Sequence, residues 1–423
     1  MWSEAKHLLV ATSGTCTRRG FLRRAGVGAV GLLVTRSLPV RAAEKPVKIE
    51  RLETFPVRYP TVGYFKFFEG PPGTPPGRPA VLVKITADNG AVGWGESVPI
   101  PKWSYETLES ATTTIAGYLR PMLLGRDVFD LAGAHEAMDS AIAGSFSTGM
   151  PIAKAGVDMA LHDLAGNVVK QSLAQRWGRP RGGPITLSWT LNPRTLDEVE
   201  PLIEEGWKRG YLNFNVKVAP DPEFDVAMCK RVKQRVPGGF LWADANGGYD
   251  LATALEVAPK LANAGVAVLE QPLKPNRLAG CRELKKQGAL PIILDEGVVS
   301  PQDLIEFIRL GLLDGVAMKP ARCGGLLPAR REIEILQDAG LMFLGSGLTD
   351  PDVSLAGSLA LYGAYQLQFP AALNGPQFLG ESLIKKPFKP RDGQLEVPEG
   401  PGLGIEVDED KVKDLVRRSQ TAG

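Results

Sequence analysis

Histidine and cysteine are scarce in this chain of 423 residues. Its only histidines are His7, His135 and His162, and it has four cysteines. A histidine-based catalytic triad or a histidine-rich zinc site therefore has few residues from which it could be built. The three cysteines beyond residue 43 are far apart along the chain, which is not the pattern of a disulfide framework.

Neither sign of charge dominates the chain. It carries 49 Lys and Arg against 47 Asp and Glu, and this net charge of +2 gives no indication of a nucleic-acid partner. The hydrophobic content of 44% and the charged content of 23% are typical of a globular protein. The charge is unevenly distributed, because residues 1–43 hold seven basic residues and one acidic residue, a net +6 that leaves −4 for the remainder.

The basic N-terminal segment has the features of an export signal. The pair Arg18-Arg19 resembles a twin-arginine motif and stands before an apolar run over residues 25–34. That run is about 10 residues long, whereas a membrane-spanning helix needs roughly 20. We therefore predict a removable signal over residues 1–43, export to the periplasm, and no membrane span in the mature protein. The alternative is an unstructured basic tail.

Residues 47–150 combine strand and helix patterns. The runs AVLVKI and AVGWGE flank Asp88-Asn89-Gly90, which predicts a hairpin because Asn and Gly tolerate positive φ. Two helical stretches follow, over residues 105–119 and 131–143. The segment over residues 61–79 is rich in Pro, Gly and aromatic residues. It reads either as a surface loop whose aromatic side chains turn inward or as a lid over a ligand site.

Beyond residue 151 short apolar runs alternate with amphipathic stretches, which indicates βαβ units and a parallel sheet. Five of these runs end near a charged residue, at intervals of 27, 26, 25 and 24 residues. One strand and one helix take about that length in a (β/α)8 barrel, where the strand ends converge on one mouth. A doubly wound sheet is the alternative, although its crevice would not gather five successive strands. The five residues are Lys217, Asp244, Glu270, Asp295 and Lys319.

Three of these charges are carboxylates on consecutive predicted strands. Asp244, Glu270 and Asp295 would repel one another unless they were protonated or bound to a cation. Ligation by oxygen alone favours a hard divalent ion such as Mg²⁺, with Mn²⁺ as the alternative. Zinc would prefer histidine or cysteine, and neither is placed here.

Two lysines flank the carboxylates. Lys217 lies one strand before them and Lys319 one strand after them, so the two side chains would approach the site from opposite sides. A partly desolvated lysine near another cation has a lowered pKa and can act as a base near neutral pH. We therefore predict that one lysine removes a carbon-bound proton and that the other can deliver one.

The segments NVKVAP, WADANGGYD, LEQPL, LDEG and MKPARCGGL, in this order, resemble the muconate lactonizing enzyme (muconate cycloisomerase) subgroup of the enolase superfamily. The resemblance implies an α/β fold, a modified (β/α)7β TIM barrel with an α+β capping domain. It implies the capping domain over residues 47–150, the barrel over residues 151–375, and a C-terminal segment over residues 376–423 that returns to the capping domain.

The same resemblance implies a reaction. Mg²⁺ would bind Asp244, Glu270 and Asp295, and the shared step would be removal of a proton α to a carboxylate, through an enediolate. It makes Lys217 and Lys319 the acid and base. It also implies that Glu296 supports the metal site and that Asn246 lies near the metal or the substrate.

The chain departs from the family pattern at one position. The family usually has Lys-x-Lys on the second strand, and here the first lysine is replaced by Asn215, which could still donate a hydrogen bond to a substrate carboxylate. The absence of histidine after His162 argues against the mandelate racemase-like subgroup, and His162 and His135 read as structural. Asp350 and Asp352 read as caps of the following helix, with substrate contact as the alternative.

We therefore expect an isomerase, either a racemase or epimerase or a cycloisomerase, that acts on a small carboxylate and forms a homo-oligomer. A hydroxy-acid dehydratase, which is a lyase of the same superfamily, is the alternative. A glycosidase-like barrel needs two carboxylates and no metal, and the lysine pair argues against it. A metal-binding homologue without activity is the remaining alternative, supported only by Asn215.

Overall fold

The computed structural model describes residues 46–68, 73–144 and 147–421. The predicted export signal over residues 1–43 lies outside these ranges. Among the described residues, none of the helices combines the length and the apolar character that a membrane crossing requires. The described cysteines, Cys229, Cys281 and Cys323, are buried and free, which confirms that they form no disulfide framework.

A three-stranded antiparallel sheet opens the described chain, in the order β1-β2-β3. The predicted hairpin is confirmed, since β2 and β3 pair across a turn in which Gly90 has φ +81°. The helix predicted from residue 105 begins instead at Leu108, because Thr107 and Ser110 form a capping box there. The elements are β1 (Ile49–Tyr59), β2 (Arg78–Ala87), β3 (Val92–Ser97), α1 (Leu108–Thr113), a π-helical stretch (Thr114–Leu119), α2 (Arg120–Leu123) and α3 (Leu131–Ala141).

Helix α4 (Pro151–Val169) is buried along most of its length and packs against β3. Glycine permits the close approach of these two elements. A Cβ atom at Gly95 would lie 2.0 Å from the carbonyl oxygen of Gly156, so only a residue without a side chain fits. The short helix α5 (Leu173–Arg176) follows α4.

Seven parallel strands, each followed by a helix, form the second sheet. Its strands follow β4 (Ile185–Thr186), and they are β5 (Trp189–Leu191), β6 (Phe214–Lys217), β7 (Leu241–Asp244), β8 (Val268–Glu270), β9 (Ile292–Leu294), β10 (Gly315–Met318) and β11 (Met342–Gly345). The helices, preceded by a 3-10 turn (Leu196–Glu198), are α6 (Val199–Lys208), α7 (Pro222–Arg235), α8 (Leu251–Asn263), α9 (Leu278–Gln287), α10 (Pro301–Leu310), α11 (Leu326–Asp338) and α12 (Asp352–Ala364).

Two residues close this curled sheet into a barrel. Ala371 forms a parallel bridge with Leu187, and Ala372 forms one with Ser346, which follows β11. The Ala371 amide donates to the Thr186 carbonyl at 2.8 Å, so the eighth position of the barrel is occupied by a segment of two bridging residues. The α/β fold with a modified TIM barrel is confirmed, and its eighth strand is very short.

The chain then returns toward the antiparallel sheet through α13 (Gly375–Phe378), β12 (Gln394–Leu395) and α14 (Glu409–Thr421). β12 pairs with β4, and α14 packs beside β1, where the Arg58 amide donates to the Ser419 hydroxyl at 2.8 Å. The division at residues 150/151 and 375/376 into a capping domain, a barrel and a C-terminal segment stays a prediction, because the described residues group into one compact unit.

Candidate active site

The structure places all five charged residues from the sequence pattern at the carboxyl ends of barrel strands. Lys217, Asp244 and Glu270 are the last residues of β6, β7 and β8. Asp295 and Lys319 follow β9 and β10 directly. Lys217 is paired with Asp244, and Asp244 with Glu270, in the register of neighbouring strands. The side chains therefore converge on one mouth of the barrel.

An apolar layer beneath the site explains why these charges point inward. Side chains two residues apart on a strand face the same side. Each of the four charged residues from Asp244 to Lys319 lies two residues after a member of one buried cluster inside the barrel. Those members are Trp242, Val268, Ile293 and Ala317. The cluster fills the barrel, and the charged groups form the next layer toward the mouth.

On one side of the mouth, Lys217 binds Asp244. The ammonium of Lys217 lies 2.5 Å from Oδ2 of Asp244, which is buried. Asn246 donates from its backbone amide to Oδ1 of Asp244 at 2.9 Å and from its side chain to Oδ2 at 3.0 Å. Asn246, predicted from the resemblance to be near the metal or the substrate, therefore orients a carboxylate of the site.

On the other side, Lys319 binds Asp295. Its ammonium donates to Oδ2 of Asp295 and lies 3.8 Å from Oε1 of Glu270. The same nitrogen is 4.9 Å from the centroid of the Trp103 ring, so the cation is held between carboxylates and an aromatic face. All three charged side chains are almost completely withdrawn from solvent.

Burial and mutual repulsion perturb the carboxylates. Burial raises the pKa of Glu270 well above its usual range, and Asp244 adds to this effect. Burial would also raise the pKa of Asp244, but the neighbouring ammonium groups of Lys217 and Lys319 hold it below its usual value. The three carboxylates thus lie in an environment where a bound cation would relieve their repulsion.

The pKa expected for Lys319 differs from the one found. The sequence predicts a lowered pKa for a desolvated lysine near another cation. Burial does act in that direction, but Asp295, Glu270 and Asp244 outweigh it and raise the pKa of Lys319 above 10.5. The predicted lowering is therefore wrong for Lys319, because three carboxylates surround the same ammonium.

The donor set fits a hard divalent cation in its chemistry. Asp244, Glu270 and Asp295 offer oxygen atoms only, and Oε1 of Glu270 is buried without a hydrogen-bond partner in the described part of the chain. Within the described ranges, however, no three His, Cys, Asp or Glu side chains are grouped as a preformed metal site. The lysine ammonium groups, bonded to Asp244 and Asp295, lie among these oxygens instead.

A guanidinium that the sequence argument did not single out holds Asp295. Nη1 of Arg322 donates to Oδ1 of Asp295 and to the Ala317 carbonyl, each at 2.7 Å. Nη2 of Arg322 lies 3.8 Å from Glu332, and burial raises the pKa of that carboxyl to about 8. The signal was present in the sequence, since Arg322 is three residues after Lys319.

An aromatic segment, Tyr64–Phe68, covers the mouth. Its Phe65 is buried, stacks on Phe378 with ring centroids 4.8 Å apart, and has its ring centroid 5.9 Å from the ammonium of Lys217. The cavity below holds about 20 Å³, room for about one water. A small organic acid therefore enters only if this segment shifts, which favours a lid while also placing the aromatic side chains inward.

The remaining predicted residues line the same region. Asn215 is completely buried, and neither polar atom of its side chain has a hydrogen-bond partner among the described residues. It lines the cavity together with Lys217 and Lys319. Glu296 lines an adjoining cavity with Asn246, and burial raises its pKa well above the usual range, with a further contribution from Asp295.

The two described histidines, His135 on α3 and His162 on α4, form a separate cluster around Asp158. Nε2 of His135 lies 2.6 Å from Oδ1 of Asp158, and Nδ1 of His162 lies 3.0 Å from the Asp158 carbonyl. Asp158 also accepts from the Leu326 amide at the start of α11, so the cluster ties α4 to the barrel. These contacts agree with a structural role for both histidines.

The predicted capping role of Asp350 and Asp352 is wrong. Helix α12 has no side-chain hydrogen bond at its N-cap, Pro351. Oδ1 of Asp350 accepts from the Leu348 amide instead, and Oδ2 of Asp352 accepts from the Leu383 amide, each within 3.2 Å. A contact within its own loop therefore occupies Asp350, and a contact with a distant loop occupies Asp352, in place of the helix N-terminus.

Comparison with known families agrees with this geometry. Residues 73–178 match the N-terminal domain of mandelate racemases and muconate lactonizing enzymes, and residues 198–411 match the enolase C-terminal domain-like family. The chain belongs to the mandelate racemase/muconate lactonizing enzyme family of the enolase superfamily.

Individual proteins that this chain resembles are cycloisomerases. Muconate cycloisomerase 1 of Rhodococcus opacus is 31% identical over 346 residues, which are 80% of this chain and 91% of that protein. The chloromuconate cycloisomerase of Cupriavidus necator is 32% identical over 343 residues, with the same coverage of 80% and 91%. The chain is accordingly an isomerase related to cycloisomerases.

Solved structures show the same relationship. The 2-chloromuconate cycloisomerase of Rhodococcus opacus 1CP superposes with a TM-score of 0.78 at 27% identity, covering 87% of this chain and 99% of that one. The muconate lactonizing enzyme of Pseudomonas fluorescens, in complex with muconolactone, reaches 0.81 at 26% identity and covers 88% and 100%.

Proposed function

We propose that this chain is an exported, Mg²⁺-dependent isomerase that removes a proton α to a carboxylate of a small organic acid and returns a proton to the resulting enediolate. Racemisation and epimerisation use both proton transfers. Cycloisomerisation shares the enediolate, which forms when a carboxylate oxygen adds to the double bond of an unsaturated acid and which then takes up a proton at its α-carbon. The relatives act, by their names, on muconate and chloromuconate, so dicarboxylates of similar length are the first substrates to test.

The observation that carries the proposal is the position of two lysines around three buried carboxylates. β6 and β10 are four positions apart in a barrel of eight, which puts Lys217 and Lys319 on opposite sides of the mouth. Each ammonium is bonded to a carboxylate of the set, which holds it at the rim of the cavity. A carbon atom bound between them could lose a proton on one face and gain one on the other.

The carboxylates of Asp244, Glu270 and Asp295 would hold the cation. Bound there, Mg²⁺ would supply positive charge to the substrate carboxylate as its α-carbon loses a proton. The protein residues position the partners of this step. Asn246 and Arg322 orient two of the carboxylates, Glu296 lines the adjoining cavity, and Asn215 offers an uncommitted amide to the substrate.

Proton exchange in D₂O tests this proposal directly. Purified protein with MgCl₂ is incubated with a panel of hydroxy, amino and unsaturated acids, muconate and muconolactone included, and deuterium at the α-carbon is followed by NMR and mass spectrometry. We expect exchange with one acid class and none after removal of Mg²⁺ by a chelator. Exchange that survives both the chelator and loss of both lysines would overturn the proposal, and loss of water from the acid would indicate the dehydratase instead.

Export has a separate test. The N-terminal signal is tested by cell fractionation and by the mass of the mature protein, with Arg18-Arg19 replaced by Lys-Lys as the comparison. We expect the unaltered chain in the periplasm without its leader and the variant in the cytoplasm. A cytoplasmic, unprocessed wild-type chain would refute export while leaving the assigned chemistry intact.

A further inference from the structure

A third lysine lies beside the mouth of the barrel, on the aromatic segment rather than on a strand. Lys66 is partly buried, and its ammonium lies 5.2 Å from the centroid of the Phe67 ring. Phe67 lines the cavity that contains Lys217 and Lys319 and also the adjoining one that contains Asn246. Lys66 is thus in contact with a residue that lines both cavities of the site.

The charged groups around Lys66 all belong to this mouth or to the loop behind it. Those that act on its ammonium are Asp244, Lys217, Glu296 and Asp225. Lys66 nevertheless makes no hydrogen bond or ion pair with another residue in the described ranges. A cation withdrawn from water without a bonded partner is unfavourable, so a ligand anion would stabilise it.

Asn215 provides the second, independent observation. It is completely buried on β6, it faces the same cavity, and both polar atoms of its side chain are without partners in the described part of the chain. Buried amides are normally hydrogen-bonded, and unbonded ones in a cavity indicate a polar ligand. The site therefore offers a cation and an amide that the carbon-acid chemistry of Lys217 and Lys319 does not use.

We infer that Lys66 is a specificity-determining residue that binds a second anionic group of the substrate, with Asn215 as a neutral hydrogen-bond partner of the bound acid. The preferred substrates are then dianions, such as dicarboxylates, rather than monocarboxylates of the same length. This assignment rests on the proposed function only because it uses the same cavity. Because Lys66 lies on the segment that covers the mouth, the second anion also draws that segment onto the bound acid.

Binding of unreactive acids tests the assignment without requiring turnover. Succinate, glutarate and adipate are compared with butyrate, pentanoate and hexanoate by calorimetry on the mature chain with MgCl₂. We expect at least one dicarboxylate to bind about tenfold or more tightly than its monocarboxylate partner, as expected for a hydrogen bond to a charged group. Lys66→Met should remove that difference and leave monocarboxylate affinity unchanged, whereas Lys66→Arg should keep most of it.

The control is Lys386→Met, the same substitution at an exposed lysine, which should change neither affinity. An equal loss for both acid classes in Lys66→Met, no loss in either, or no dicarboxylate preference in the unaltered protein would overturn the inference. If the preference for dicarboxylates depends on Lys66 but the protein catalyses no α-proton exchange, the inference stands and the proposed function is refuted.

Discussion

The ammonium of Lys217 lies 2.5 Å from Oδ2 of Asp244, the residue paired with it on the neighbouring parallel strand. The same geometry recurs on the opposite side, where Lys319 bonds to Asp295. Each proposed proton-transfer group is therefore held by a proposed metal ligand. Acid–base chemistry and cation binding are consequently linked through two specific side-chain contacts.

Loss of either lysine should abolish turnover. We expect Lys217→Ala and Lys319→Ala each to lower kcat by at least about 10²–10⁴-fold, the usual contribution of a positioned acid or base. Both variants should keep their fold and bind Mg²⁺, as checked by circular dichroism and calorimetry. Lys386→Ala, at an exposed position, serves as the control. Normal turnover in either site variant would refute the two-base assignment.

Glu270→Gln should affect stability differently with and without Mg²⁺. Oε1 of Glu270 is buried and has no hydrogen-bond partner among the residues that the structure describes, and Asp244 repels its ionised form. In buffer that contains a chelator, replacement of this carboxyl by the neutral amide of Gln should therefore leave the melting temperature unchanged or raise it by a few degrees. Saturating Mg²⁺ should stabilise the wild type by about 3 kcal/mol at 100 times Kd and the variant much less. Thermal scans in both buffers measure this, and an equal Mg²⁺ response in both proteins would contradict the ligand assignment.

Arg322 should matter for the cation through Asp295. Arg322→Met leaves Oδ1 of Asp295 and the carboxyl of Glu332 without their cation, so we expect a loss of about 3–5 kcal/mol in unfolding free energy. Mg²⁺ affinity should fall about 10–100-fold. Adding Glu332→Gln should recover part of the stability but not the Mg²⁺ affinity. Recovery of both by the double variant would show that Arg322 acts on the fold alone.

Glu96 should make stability depend on pH. It accepts from the Tyr59 hydroxyl at 2.6 Å and from the Ser354 amide at 3.1 Å, and burial raises its pKa from 4.5 to about 7. The folded protein therefore holds this proton more tightly than the unfolded chain does. The stabilisation is complete below about pH 4.5 and is lost as pH rises toward 7.

Glu96→Gln removes this titration. Relative to the variant, the wild type should lose about 3 kcal/mol of unfolding free energy between pH 4.5 and pH 8. Denaturant unfolding at several pH values measures the difference. Glu50→Gln, at an exposed carboxyl on β1, should follow the wild type throughout. Parallel profiles for Glu96→Gln and the wild type would disprove the effect.

Gly95→Ala should destabilise the contact between β3 and α4. The added methyl group would lie 2.0 Å from the Gly156 carbonyl oxygen, which is backbone and cannot move aside alone. We expect a loss of about 1–3 kcal/mol or more. Gly117→Ala is the matched control, since among the described residues nothing beyond its own helix turn and chain neighbours lies within 4 Å of the added methyl group, and alanine favours the helix. Equal melting temperatures for the two variants would contradict the packing argument.

The barrel and its charged mouth could be predicted because their signals are periodic. The spacing of charges from Lys217 to Lys319 reports one strand and one helix per unit, and the structure has each charge at a strand end. The eighth strand could not be predicted in the same way. Ala371 and Ala372 form only single bridges, so the sequence there has no apolar run of strand length.

Contacts between segments that are distant in sequence explain the other differences. Lys66 follows Phe65, which stacks on Phe378, more than 300 residues away along the chain. Asp350 does not cap α12, because one of its oxygens accepts from the Leu348 amide in its own loop and the buried guanidinium of Arg78, on the distant strand β2, lies nearby. Local sequence preferences cannot predict such contacts, because the contacts depend on which loops the fold brings together.

The position of α14 beside β1 has a consequence for solubility. β1 pairs with β2 alone in its sheet and runs for 11 residues, long enough for an edge to recruit a strand from another molecule. The Ser419 hydroxyl accepts the Arg58 amide proton, and the helix lies against the same strand. Helix α14 thereby protects β1 from intermolecular β-pairing and aggregation.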